Sequence, residues 1–111
     1  AVALPLASGT ADAVVCTMTL CSVLEPGQAV AEIRRILKPG GRYLFHEHVI
    51  SETDPKLAAE QRMYKGKGGC NFDRRTLQTI RAGGFRDVDA EYFDLTDYWL
   101  LNPTIEGIAT A

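Results

Sequence analysis

The chain has 111 residues, 46% hydrophobic and 23% charged, with a formal net charge of −2. That length holds at most one small domain, and the composition is ordinary for a soluble globular protein. The slight acidic excess argues against a nucleic-acid binder, and no apolar run approaches the ~18 residues needed to span a bilayer, so neither partner is expected.

Ala1–Leu6 is a short apolar lead-in broken by Pro5 and lacks the basic region of a signal peptide. Cys16, Cys21 and Cys70 share no repeated spacing and read as reduced thiols, which predicts a cytoplasmic protein. Ala7-Ser8-Gly9-Thr10 is a small polar loop. Ala13–Thr17 is continuously apolar and predicts a strand buried on both faces, with Met18–Leu24 as the loop and short turn at its carboxyl end. Pro26 suits a first helical turn, and Ala29, Val30, Ile33, Ile36 and Leu37 recur on one helical face within Gln28–Leu37. Lys38-Pro39-Gly40-Gly41 stops that helix, and Arg42–His48 follows as a second strand. This strand–helix–strand order predicts one crossover of a parallel sheet.

Further on, Ser51–Lys65 reads as a helix with Ser51 or Thr53 as cap, and Gly66-Lys67-Gly68-Gly69 as a break. The break lacks the spacing of a phosphate-binding loop; it is a plain connector or a lid hinge. Asp73 is the candidate cap of a helix over Arg74–Ala82 closed by Gly83-Gly84, with Arg74, Arg75 and Arg81 on its solvated face. Phe85–Leu95 and Thr104–Ala111 alternate in character and predict two terminal strands paired antiparallel.

Taken together, Leu4-Pro5-Leu6, Asp12-Ala13-Val14-Val15, Lys38-Pro39-Gly40-Gly41 and the final strand pair resemble the fourth to seventh strands of class I S-adenosylmethionine (SAM) methyltransferases of the type-11 domain. A narrower likeness, in Cys16–Val23, Glu47-His48-Val49 and Gly69-Cys70-Asn71, is to the small-thiol S-methyltransferase branch. The resemblance implies an α/β, partial Rossmann-like fold with parallel strands and an antiparallel final strand. It places the glycine-rich cofactor loop and the acidic residues for ribose and adenine upstream of Ala1. Residues 1–111 are therefore expected to form a single partial domain lacking the amino-terminal cofactor half. By the same resemblance, Cys16, Thr17 and Met18 pass under the methionine part of the cofactor. Leu20 and Cys21 then sit against its adenine, and Val2 and Ala3 follow the adenine edge.

For Cys16 the alternative is a place in the core and for Cys21 a position off the pocket, and the other candidates also carry two readings each. On a strand, His46 and His48 face one side and Glu47 the other, so the triplet does not converge on one metal ion. Glu47 and His48 are candidate catalytic groups, able to raise the thiolate fraction of a thiol substrate; the alternative is ordinary packing or a satisfied hydrogen bond. Cys70 and Asn71 either reach the substrate mouth or form a partly buried loop. Trp99, within Tyr98-Trp99-Leu100-Leu101, closes over substrate, joins a subunit contact, or caps the core.

The function expected is SAM-dependent methyl transfer to a small molecule, with a thiol as the acceptor class. The competing reading is a non-catalytic interaction module of the same fold that has lost SAM binding. In either case the Ala13–Thr17 strand would lie at an open sheet edge, which predicts a homodimer or a partner chain covering it.

Overall fold

A computed structural model describes residues 4–64, 71–94 and 102–111. The elements run β1 (Ala11–Thr17), α1 (Pro26–Ile36), β2 (Leu37–His48), α2 (Pro55–Met63), α3 (Thr76–Arg81), β3 (Asp87–Phe93) and β4 (Thr104–Thr110). The four strands form one sheet in the order β1-β2-β4-β3. β1 and β2 pair in parallel, with Val14 opposite Tyr43 and Cys16 opposite Phe45, while β4 runs antiparallel to both of its neighbours. The expected crossover and the antiparallel final strand are both present.

The pleat sorts the sheet into two unlike faces. On one, Tyr43, Phe45, Ile105 and Ala109 are buried against Val30 and Ile33 of α1 and Leu77 and Ile80 of α3. On the other, Val15, Leu44, Ile108 and Asp89 share a row by register, and Val15 is 70% exposed. This corrects the expectation that β1 is buried on both sides. An unbroken apolar run marks a strand made for two covered faces, but only one face of β1 is covered by the described residues.

Several boundaries also differ. α1 ends at Ile36, where Leu37 turns extended and its N–H bonds to the Ile33 carbonyl. The Lys38–Gly41 stretch belongs to β2 instead of preceding it. Gly40 takes φ +81°, which an L side chain rarely adopts, and its N–H bonds to the Ala111 carbonyl while Gly41 accepts from Ala111. The end of β4 thus supplies partners that let the strand begin before the turn is over. α2 is capped by Asp54, not by Ser51 or Thr53: its carboxylate accepts from the Lys56 and Leu57 N–H groups, and Ser51 Oγ accepts from Asp54. α3 is shorter than expected because Arg74 is held outside it, its carbonyl accepting from Ile50. Arg75, not Asp73, occupies the cap position. β3 starts after Phe85, whose ring stacks on Tyr43 at 6.0 Å and so belongs to the core and not to the strand. Among the described residues no helix is long and apolar enough to cross a membrane.

Candidate functional site

Because β1 and β2 are parallel, their carboxyl ends emerge on the same side, where loops of open α/β sheets part and ligands bind. The ladder continues one residue past β1, with the Met18 N–H on the His46 carbonyl at 2.7 Å. Met18 then adopts φ +50°, the one non-glycine residue in the left-handed region among those described. Such a conformation costs of order 1–3 kcal/mol and persists only where the surroundings enforce it.

The enforcement comes from three directions. The Glu47 carboxylate accepts from the Thr19 N–H at 3.0 and 3.2 Å and from the Leu20 N–H at 3.0 Å. The Arg74 guanidinium donates to the Leu20 carbonyl. Asn71 donates both its backbone N–H, at 2.8 Å, and its side-chain amide, at 3.0 Å, to the Cys21 carbonyl. Cys21 is itself buried, with Sγ 3.5 Å from the Met18 carbonyl. Residues the sequence suggested for different roles (Met18, Leu20, Cys21, Glu47 and Asn71) therefore meet in one loop.

Beside that loop lies an apolar cavity of about 290 Å³, lined by Leu4, Val14, Cys16, Thr19, Leu20 and Val23 over a floor of Ala29 and Ile33. The Leu4 segment is held at its rim by α1: Glu32 accepts from the Leu4 N–H at 2.8 Å and pairs with Arg35 at 2.7 Å. Arg35, then the Leu4 N–H, draw the Glu32 carboxyl below its ordinary range.

Protonation at the site follows from burial. Glu47 is fully buried, and desolvation raises its pKa although the Thr19 and Leu20 N–H groups oppose the shift. Desolvation, then the nearby Glu47 charge, also raises Cys16, leaving a protonated thiol. His48 is buried with its ring 5.4 Å from Phe72, and burial lowers its pKa to about 4. It is a neutral imidazole at physiological pH and a weak base. His46 turns to the opposite face from Glu47, its Nδ1 3.1 Å from Glu106 and its ring 5.8 Å from Phe93. Thr17 faces that open side opposite His46, whereas Cys16 faces the cavity. Among the described residues no cluster of three or more ligating side chains is suited to a metal.

Val2, Ala3, Cys70 and Trp99 lie outside the described residues, as do the Gly66–Gly69 break and the Tyr98–Leu101 cluster. Arg74 is a correction: it reaches Leu20 and is not part of a solvated helix face. Nothing in the sequence separates it from Arg75, since what distinguishes them is a contact 54 residues away in the chain. Gln61 was equally silent. It is fully buried, accepts from Ser51 N–H at 2.8 Å and donates to the Val49 and Asn102 carbonyls at 3.0 and 2.8 Å.

Comparison with known proteins decides the fold. Residues 1–45 match the methyltransferase domain family. A SAM-dependent methyltransferase from Thermotoga maritima superposes with a TM-score of 0.67 at 21% identity, over 96% of this chain and 59% of that one. The chain carries a class I methyltransferase fold. A thiol S-methyltransferase of Rattus norvegicus is 37% identical over 110 residues, which cover 94% of this chain and 45% of the rat protein. The chain thus spans less than half the length of that relative. The cyclase SpnF also superposes, with a TM-score of 0.74 at 20% identity, over 97% of this chain and 52% of SpnF. A methyltransferase fold therefore leaves the reaction to be argued from the site. The strand order β1-β2-β4-β3, with β4 antiparallel, agrees with the parallel strands and antiparallel final strand that the sequence resemblance implies.

Proposed function

We propose that the chain forms part of a SAM-dependent methyltransferase acting on a small molecule, with a thiol as acceptor. The observation that carries this reading is the apolar cavity at the end of β1, walled by Cys16 and Leu20 and bounded by the strained Met18 turn. Its size and largely apolar lining, in which Thr19 and Glu32 are the polar residues, suit a planar heteroaromatic base such as adenine. Leu20 and Cys16 wall that cavity; the places of Cys21 against the base, of Cys16, Thr17 and Met18 under the methionine part, and of Val2 and Ala3 along the base's edge rest on the sequence resemblance. When bound, SAM supplies a sulfonium-linked methyl group open to displacement by a nucleophile. The chain's own residues contribute alignment, which is most of what methyl transfer from a sulfonium requires. The glycine-rich loop and ribose-binding acid that the fold calls for are not among these residues, so the chain supplies one wall of the pocket.

The thiol rests on the sequence likeness in Cys16–Val23 and Glu47–Val49 and on the name of the rat relative. Cys70, Asn71 and Trp99 are the residues proposed around the acceptor; Asn71 sets the mouth through its two bonds to Cys21. His48 is the candidate base on this reading, a weak one because burial lowers its pKa to about 4, while Glu47 acts through the loop. Such an enzyme would work in the cytoplasm, and a second copy or a partner chain would cover the outer edge of β1.

Calorimetric titration with S-adenosylhomocysteine tests the pocket. Saturable heat at submillimolar to millimolar ligand is expected, and no heat at millimolar ligand overturns SAM binding by this chain. Light scattering after gel filtration tests the edge: a monodisperse monomer at high concentration rules out self-association there.

A further inference from the structure

We propose that Glu47 and Arg74 are positioning residues, a charged clamp that grips Leu20 by its backbone and so sets the wall of the cofactor pocket. The inference deepens the function proposed above and rests on it for the identity of the ligand.

Both oxygens of Glu47 are committed to the Thr19 and Leu20 N–H groups, and the side chain is fully buried. A carboxylate so buried behind the loop it bonds offers no surface to a substrate thiol. It acts through the loop. Arg74 approaches the same residue from its other end, with Nη1 on the Leu20 carbonyl. Leu20 thus has an anion at its N–H and a cation at its C=O, an arrangement in which both bonds are charge-assisted and each polarises the peptide unit it meets. The two charges come from distant elements, β2 and the segment before α3, so the loop is held only when the sheet and that segment are assembled together. The Leu20 side chain is 1% exposed and lines the cavity beside Cys16 and Val23. Immediately before the clamp stands Met18 at φ +50°, a conformation that needs outside support. A buried carboxylate whose ionisation the fold resists is poorly explained as a stabiliser of the fold, and well explained as the device that fixes this turn.

The test combines amide hydrogen exchange by NMR with ligand binding, on the wild-type chain and the variants E47Q, R74M and R74K. In E47Q the Thr19 and Leu20 amides should exchange about ten- to a hundredfold faster, the loss of a charge-assisted bond, while amides of the β2–β4 ladder keep their protection. R74M should loosen the same amides, and R74K, which keeps the charge and one donor, should recover most of the protection. The dissociation constant for S-adenosylhomocysteine should rise about tenfold in E47Q and R74M together with the exchange. Unchanged exchange at Thr19 and Leu20 in both variants overturns the clamp. Faster exchange with unchanged ligand affinity also overturns it, since the bonds would then serve the fold alone. A wild-type chain that takes up no S-adenosylhomocysteine defeats the proposed function, and the exchange data then decide the clamp by themselves. Should E47Q not fold, R74M, at a partly exposed position, carries the test.

Discussion

Cys16 stands opposite Phe45 in the parallel β1–β2 pair, and that register carries Glu47, two residues further on, beneath the Met18–Leu20 turn. A slip of one residue would reverse every side chain of β1. Val15 and Thr17 would then enter the core, and the carboxylate would lose the loop it holds.

Burial lowers the His48 pKa to about 4 from 6.5. Its folded value lies below its unfolded one, so the contribution is complete above about pH 6.5 and is lost as pH falls toward 4. Unfolding free energy should drop by about 3 kcal/mol across that window on this account. Urea denaturation at a series of pH values checks it: His48→Gln should flatten the curve, and parallel wild-type and variant curves would reject the assignment.

Glu47 carries the opposite sign. Burial raises its folded pKa, so its contribution is present below the unfolded value and is lost as pH rises through the folded one. Glu47→Gln should therefore be as stable as wild type, or more so, at neutral pH, and its relative advantage should vanish in acid. A Glu47→Gln variant much less stable than wild type at neutral pH would show that the three N–H bonds outweigh desolvation.

Gln61 satisfies three backbone groups from Ser51, Val49 and Asn102 while itself wholly buried. Gln61→Leu keeps the bulk and removes every partner, leaving buried polar groups bare. A loss of about 3 kcal/mol is expected by urea denaturation. A change under about 1 kcal/mol would mean that water replaces the amide.

The one-sided burial of the sheet gives a paired prediction. Ile80 is fully buried under the sheet while Val15 is 70% exposed on its other face. Ile80→Ala should cost about 2–5 kcal/mol and Val15→Ala less than about 0.5 kcal/mol in the isolated chain. A Val15→Ala loss comparable to that of Ile80→Ala would show that something covers the open face in solution.

The elements were legible from local signals. The apolar run at Val14, the spacing of Val30, Ile33 and Ile36, and the Pro26 start determined a strand and a helix whatever lay around them. Their order determined a parallel crossover, and with it the end of the sheet where the proposed pocket lies. The site was legible only in outline, as the stretch after β1 and the end of β2. That Glu47 turns inward to the Thr19 and Leu20 amides, that Arg74 but not Arg75 reaches Leu20, and that Gln61 bridges three segments are contacts between residues 10 to 54 positions apart. Hydrogen bonds of that kind depend on which backbone groups the packed sheet leaves unpaired. No periodicity or composition records that, and assembly of the tertiary structure alone decides it.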